Sequence, residues 1–194
     1  MSFQQELLTT VLKDVGIAEI PGAGDHPQIV LAHELTKVIR QGLDPAGPEK
    51  IDEIPWCSSM MNLWMIRTCY RLNPGRTLSW LREKRFLAVT IGHLVQDTRM
   101  RIFADHPEDN GVEIPQPTWK AGAMSWSTWG KPVDKKDYQP GDICVFTRTG
   151  GGHVALYMGK TFLTIVALGG NQTNKVCQSS SYLKTRLVTV RRFI

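Results

Sequence analysis

The stretch Gly141-Asp142-Ile143-Cys144-Val145-Phe146-Thr147-Arg148-Thr149-Gly150-Gly151-Gly152-His153-Val154-Ala155-Leu156-Tyr157 decides the fold class. It reads as two β-rich runs, 142–148 and 153–159, on either side of a triple-glycine bend. Two more such runs, 163–168 and 186–192, follow between clusters of Gly, Asn and Ser. Upstream the pattern is helical. Leu7, Leu8, Val11, Leu12 and Val15 recur at helical spacing before Gly16. A second helix begins near Pro27, with Val30, Leu31, Leu35, Val38 and Ile39 on one face and Gly42 as its stop. A third runs from Cys57 to about Tyr70, with Met61, Trp64 and Met65 on its buried side, and Asn73-Pro74-Gly75 breaks it. A further helical stretch, about 78–103, carries Arg82, Lys84, Arg85, Arg99 and Arg101 after Arg76. Helices first and an antiparallel sheet afterwards predict an α+β fold.

The 194 residues suit a single domain, 1–194, able to bury roughly 70% of the surface of its unfolded chain. Its 42% apolar and 21% charged content excludes a disordered or fibrous chain. The net charge of +5 is read either as a solvated surface rich in Lys and Arg or as attraction to a polyanion such as nucleic acid, anionic lipid or the bacterial envelope. No zinc-finger spacing, RNA-binding signature or long basic block supports nucleic acid. Cys57, Cys69, Cys144 and Cys177 contain no CxxC pair, which fits neither a disulfide scaffold nor a zinc ribbon. The opening Met1-Ser2-Phe3-Gln4-Gln5-Glu6 has no basic n-region and no apolar h-region, and is read as lacking a signal peptide. No run reaches the roughly 18 apolar residues of a membrane span.

Three positions carry chemistry. Cys57, in Pro55-Trp56-Cys57-Ser58-Ser59, opens a helix, where the positive end of the macrodipole favours the nucleophilic thiolate. His153 stands behind the glycine bend at the mouth of a strand. Asn171, in Leu168-Gly169-Gly170-Asn171-Gln172, ends the next strand, and an antiparallel hairpin returns it toward His153. Cysteine, histidine and a polar orienter are the parts of a thiol-protease site, the orienter fixing the imidazole tautomer. Asn171 is the preferred orienter, with Gln172 and Asp142 as alternatives.

With those residues in view, the chain resembles the CHAP and NlpC-type cell-wall hydrolases of bacteria and phages. The resemblance rests on Asp52-Glu53-Ile54-Pro55-Trp56-Cys57-Ser58, Ser125-Trp126-Ser127-Thr128-Trp129-Gly130, Gly141-Asp142-Ile143, Gly152-His153-Val154, Leu168-Gly169-Gly170-Asn171-Gln172 and the stretch 182–186. It covers most of 15–192. It implies a papain-like fold, with Cys57 as nucleophile at a helix start packed on a small antiparallel sheet, His153 as base and Asn171 as third member. It further implies hydrolysis of an amide bond in peptidoglycan without cofactor or metal. The bond is either N-acetylmuramoyl-L-alanine or one within the stem peptide. The segment of about 75–118 departs from the family as a helical insertion, read as a cationic face for docking on an anionic envelope, as a lid over the groove, or as a solvated structural elaboration.

Trp56, Trp126 and Trp129 are read either as core or as a groove wall against sugar and stem peptide, with Gln172 joining them as a substrate contact. His26 and His33 are read as structural or exposed, and Cys69, Cys144 and Cys177 as apolar filler or chance surface thiols. The expected setting is a monomeric phage endolysin, made in the host cytoplasm and reaching the wall by holin-type release. An antibacterial effector delivered by dedicated export and a non-catalytic wall-binding phage protein are the alternatives. A zinc enzyme lacks an HExxH motif here. A glycosidase, the other alternative, would expose new reducing sugars.

Overall fold

Ser2 opens the first helix. Its hydroxyl accepts from the Gln5 N–H at 3.3 Å, and its own N–H donates to Gln5 Oε1 at 2.8 Å, a reciprocal capping box. In this computed structural model residues 2–20, 25–36, 55–84 and 108–194 are described. The elements are α1 (Phe3–Leu12), α2 (Pro27–Leu35), α3 (Cys57–Leu72), α4 (Pro74–Glu83) and a 3-10 helix at Ala123–Thr128. The strands are β1 (Lys131–Pro132), β2 (Ile143–Arg148), β3 (Gly151–Lys160), β4 (Thr164–Gly169), β5 (Cys177–Leu183) and β6 (Leu187–Arg192). They form one antiparallel sheet in the order β1-β6-β2-β3-β4-β5. The architecture is α+β, with N-terminal helices and a C-terminal antiparallel sheet.

Helix α3 is the centre of the molecule. The sequence pattern predicts one buried face, yet every residue from Cys57 to Tyr70 is buried. The reason is that α1 and α2 pack on it, β3 packs against it, and the chain from 108 onward wraps its remaining side. Its buried polar groups therefore need partners inside the protein. Ser58 Oγ donates to Lys120 O at 2.7 Å and accepts from Trp126 Nε1 at 2.9 Å. Asn62 donates to Ser58 O at 2.8 Å and accepts from the Trp119 N–H at 2.7 Å. Ser59 meets Thr36 at 2.9 Å and His33 Nδ1 at 3.0 Å, so His33 is a structural histidine. His26 is the N-cap of α2, with Nδ1 accepting from Gln28 N at 3.2 Å.

Asn73 ends α3 and starts α4. Its Oδ1 accepts from Arg76 N at 3.1 Å, and its Nδ2 donates to Asp109 Oδ1 at 2.6 Å and Val112 O at 3.0 Å. Arg76, the first cation of the expected insertion, is paired with Asp109 at 2.8 Å. The rest of that insertion from 85 to 107, including Arg85, Arg99 and Arg101, lies outside the described residues. So do Val38, Ile39, Gly42 and Asp52-Glu53-Ile54.

The sheet has two apolar faces. Ile143, Val145, Val154, Leu156 and Leu168 join the helices in one core. Cys144, Phe146, Ala155, Tyr157, Ile165, Ala167 and Val190 form a second cluster on the opposite face. Irregular register at Val145/Phe146, Tyr157/Gly159 and Ile165/Ala167 bends the strands and curls the sheet. Two strands escape the sequence reading. β1 has two residues. β5, Cys-Gln-Ser-Ser-Ser-Tyr-Leu, is a mostly polar edge strand without alternating apolar residues.

Candidate active site

The site lies where β4 separates from β3. The β3–β4 register ends at Leu156↔Leu168, and β4 itself ends at Gly169, so Val154 has no β4 residue opposite it. The start of α3 fills this gap. The Trp56 ring packs on Gly170, where an added Cβ would stand 2.5 Å from it. That contact is the physical reason for glycine at 170. Next to it, the backbone N–H of Val154, the residue that follows His153, favours the charged form of the Cys57 thiol.

Cys57 is the first residue of α3, which has no side-chain cap. Burial pushes its thiol up from the ordinary value. The Val154 N–H, the Arg148 guanidinium and the N–H groups of Ser58 and Cys57 pull the other way without prevailing. The resting group is thus a neutral thiol, 3% exposed. The sequence argument from the helix terminus identified a force of the right sign that desolvation outweighs.

His153 is directly opposite Phe146 on β2, and Tyr182 of β5 covers both. The His153 and Tyr182 rings stack with centroids 5.0 Å apart and planes 10° from parallel. Burial first, and then the positive charge of Arg148, holds the imidazole down at about 4, so it is neutral at pH 7. Its Nε2 is buried with no hydrogen-bond partner. No hydrogen bond joins it to Cys57 or to Asn171 among the described residues. The ring leaves β3 on the Phe146 and Tyr182 face, and Tyr182 in turn feels Cys57, so the thiol and the imidazole border one corner without bonding.

A cavity of about 650 Å³ opens on the imidazole side, and His153, Asn171, Gln172 and Tyr182 all line it. The loop 171–174 forms one wall and is strained, because Asn171, Thr173 and Asn174 have φ of 56°, 53° and 60°. Left-handed backbone costs a β-branched residue such as Thr173 on the order of 1–3 kcal/mol. Gln172 helps to hold that geometry. Its Nε2 donates to Gly169 O at 3.1 Å and Cys177 O at 2.5 Å, and its Oε1 is buried without a partner. Backbone bonds Glu19 N to Asn174 O, at 3.0 Å, and Val176 N to Ile17 O, at 2.7 Å, tie the loop to the segment after α1.

The remaining candidates separate by burial. Trp56 and Trp126 are completely buried. Trp56 donates to Glu19 Oε1 at 2.8 Å, and Trp126 to Ser58 Oγ. Neither ring forms a groove wall in this structure. Trp129 is partly exposed, lies 5.7 Å from Trp126 and donates to Gln116 O at 2.8 Å. Asp142 is fully buried and accepts from Arg192 Nε at 2.6 Å, Arg192 Nη2 at 2.7 Å and Gln139 N at 2.8 Å, so its carboxylate serves a C-terminal clamp away from the imidazole. Cys69 and Cys144 are buried, with burial raising both thiols, while Cys177 is half-buried on the groove.

Two groups at the site were missed as participants. Tyr182 lies in a quoted motif, but its stacking on His153 depends on the curl of the sheet. Arg148 ends β2, and only the hairpin's position over α3 brings its charge to bear on both Cys57 and His153. Among the described residues no group of three or more His, Cys, Asp or Glu side chains gathers as a metal site, and no helix is long and apolar enough to cross a membrane. Compared with known proteins, the chain matches no family model and no curated sequence.

Proposed function

We propose that this protein is a cysteine-dependent hydrolase of papain-like type that cleaves an amide bond in peptidoglycan, with Cys57 as nucleophile and His153 as base. The observation that carries the reading is the meeting of the α3 start with the sheet: Trp56 packs on Gly170 where β4 ends, and the Val154 N–H, one residue from His153, acts on the Cys57 thiol. In the reaction the thiol proton passes to His153 as sulfur attacks the amide carbon. The imidazolium then protonates the leaving amine, and water hydrolyses the thioester, releasing the acid and restoring the thiol. The start of α3, with the Cys57 and Ser58 N–H groups, supplies donors for the oxyanion. Both reacting groups start neutral, so proton transfer accompanies attack. Their hydrogen bond must form on substrate binding, as catalytic contacts often do. Asn171 and the strained loop form the wall against which the bound peptide lies.

The burial of Cys57 and its lack of a hydrogen bond to His153 favour a second reading, a non-catalytic wall-binding protein on the same scaffold. One experiment separates them. Purified peptidoglycan is digested, and the soluble fragments are examined by mass spectrometry for new amino and carboxyl termini. The wild type releases them, and Cys57→Ala, with an unchanged circular-dichroism spectrum, is slower by about 1000-fold or more. Equal digestion by Cys57→Ala overturns the thiol mechanism. Wall binding with no fragments from the wild type establishes the second reading.

A further inference from the structure

Several of the described arginines are held by the scaffold. Arg67 meets Asp14, Arg71 meets Glu6, Arg76 meets Asp109 and Arg192 meets Asp142. Arg191 donates to the carbonyls of Trp129 and Gly130. The cavity beside His153 breaks that pattern. Arg148, Lys175 and Arg186 all line it and are exposed, and none of the three makes an ion pair among the described residues. Among the described residues no Asp or Glu lines this cavity, and its polar lining is otherwise uncharged. Three cations around one concavity repel one another and raise its potential unless an anion enters.

Arg148 has a further distinction. It also borders a second, smaller depression together with Asn171 and Glu19. Glu19 accepts from the Trp56 indole and stands outside the larger cavity. The charge of Arg148 is felt at Cys57, His153 and Tyr182 alike. A guanidinium at that junction offers two parallel donors to a carboxylate.

We infer that Arg148 binds a carboxylate of the substrate in this groove, so that the protein selects acidic peptides in which a free carboxylate flanks the amide to be cut. The inference rests on the hydrolase reading above for the word "cut", and on the groove alone for the carboxylate. Peptidoglycan stem peptides carry such a group where glutamate is joined through its side chain and its α-carboxylate is left free. Conversion of that carboxylate to a carboxamide removes the charge and keeps the shape.

The test uses the full chain with Cys57→Ala, which binds without turnover. Affinities are measured calorimetrically for alanyl-γ-glutamyl-lysine and for its α-carboxamide analogue. The free carboxylate binds about tenfold tighter at low salt, a typical effect for a charge-assisted hydrogen bond. The ratio shrinks at high ionic strength and falls to near one in Cys57→Ala/Arg148→Gln. Arg76→Gln, at a cation away from the groove, leaves it unchanged. Equal affinity for the two peptides, or a ratio that survives Arg148→Gln, overturns the inference. Cleavage is scored separately with the Cys57-containing protein. Carboxylate-selective binding without cleavage keeps the inference and sinks the hydrolase reading, and cleavage without selectivity does the reverse.

Discussion

His153 ties the stability of the protein to pH. Its imidazole is held at about 4 when folded, against about 6.5 in an unfolded chain. Between those values the unfolded state binds the proton and the folded state does not. Stability is therefore complete above about pH 6.5 and falls as pH drops toward 4, by up to about 3 kcal/mol from this group. Urea midpoints measured from pH 7.5 to 4 are expected to decline across that window. His153→Phe, which keeps a ring against Tyr182, flattens the decline, and an unchanged slope contradicts the assignment. At this scale the sequence was informative about identity and silent about environment. A glycine bend ahead of a histidine is visible in one dimension. The stacking of Tyr182 on that histidine joins residues 29 positions apart through two intervening strand pairings.

Helices α3 and α4 meet at Asn73, a completely buried asparagine that caps one and closes the other. Asn73→Ala deletes the α4 cap and the bonds to Asp109 and Val112 together. A lost cap costs about 1 kcal/mol, and each buried group left unpaired a further 1–3 kcal/mol. A total loss of about 2–4 kcal/mol is expected by denaturant titration, and a loss below about 1 kcal/mol would show that the loop at 108–112 adds nothing to the helix corner. The Asn73-Pro74-Gly75 break was readable because proline at the first helical turn and an Asx residue before it are local signals. β5 was not, since three consecutive serines carry no apolar alternation and the strand forms by pairing with β4. The same limit explains α3. Periodicity measures one apolar face, and a helix enclosed by other elements uses buried serine, asparagine and arginine on the rest.

A buried ionic centre joins α1, α2 and α3. Asp14, just after α1, accepts from Arg67 Nη1 at 2.8 Å and Trp64 Nε1 at 2.9 Å, both on α3, and Arg67 continues to Gln28 on α2. The Arg67–Asp14 pair is almost wholly buried. Asp14→Ala removes the carboxylate that faces this buried guanidinium, at an expected cost of about 3–5 kcal/mol. Thermal unfolding should shift downward by several degrees as a single transition. Separate helical and sheet transitions would show that the shared core does not couple them. The α+β order followed from the chain's succession of periodicities. The docking of sheet on helices did not, because it depends on side chains such as Trp56 and Val154 that look like any other apolar residue in a string.

The rings of Phe3 and Phe193 pack edge to face at 5.5 Å, and Gln4 Nε2 donates to Phe193 O at 2.8 Å. The start of α1 and the segment after β6 thus share one corner. A covalent cross-link placed across that corner would close a loop of about 190 residues with little disturbance of the folded state. Its effect would fall on the denatured ensemble, whose conformational freedom closure reduces, in the manner of a disulfide closing a long loop. A cut at the exposed Thr149-Gly150 turn of the cross-linked chain would then interrupt the backbone between β2 and β3 while leaving them partners in space.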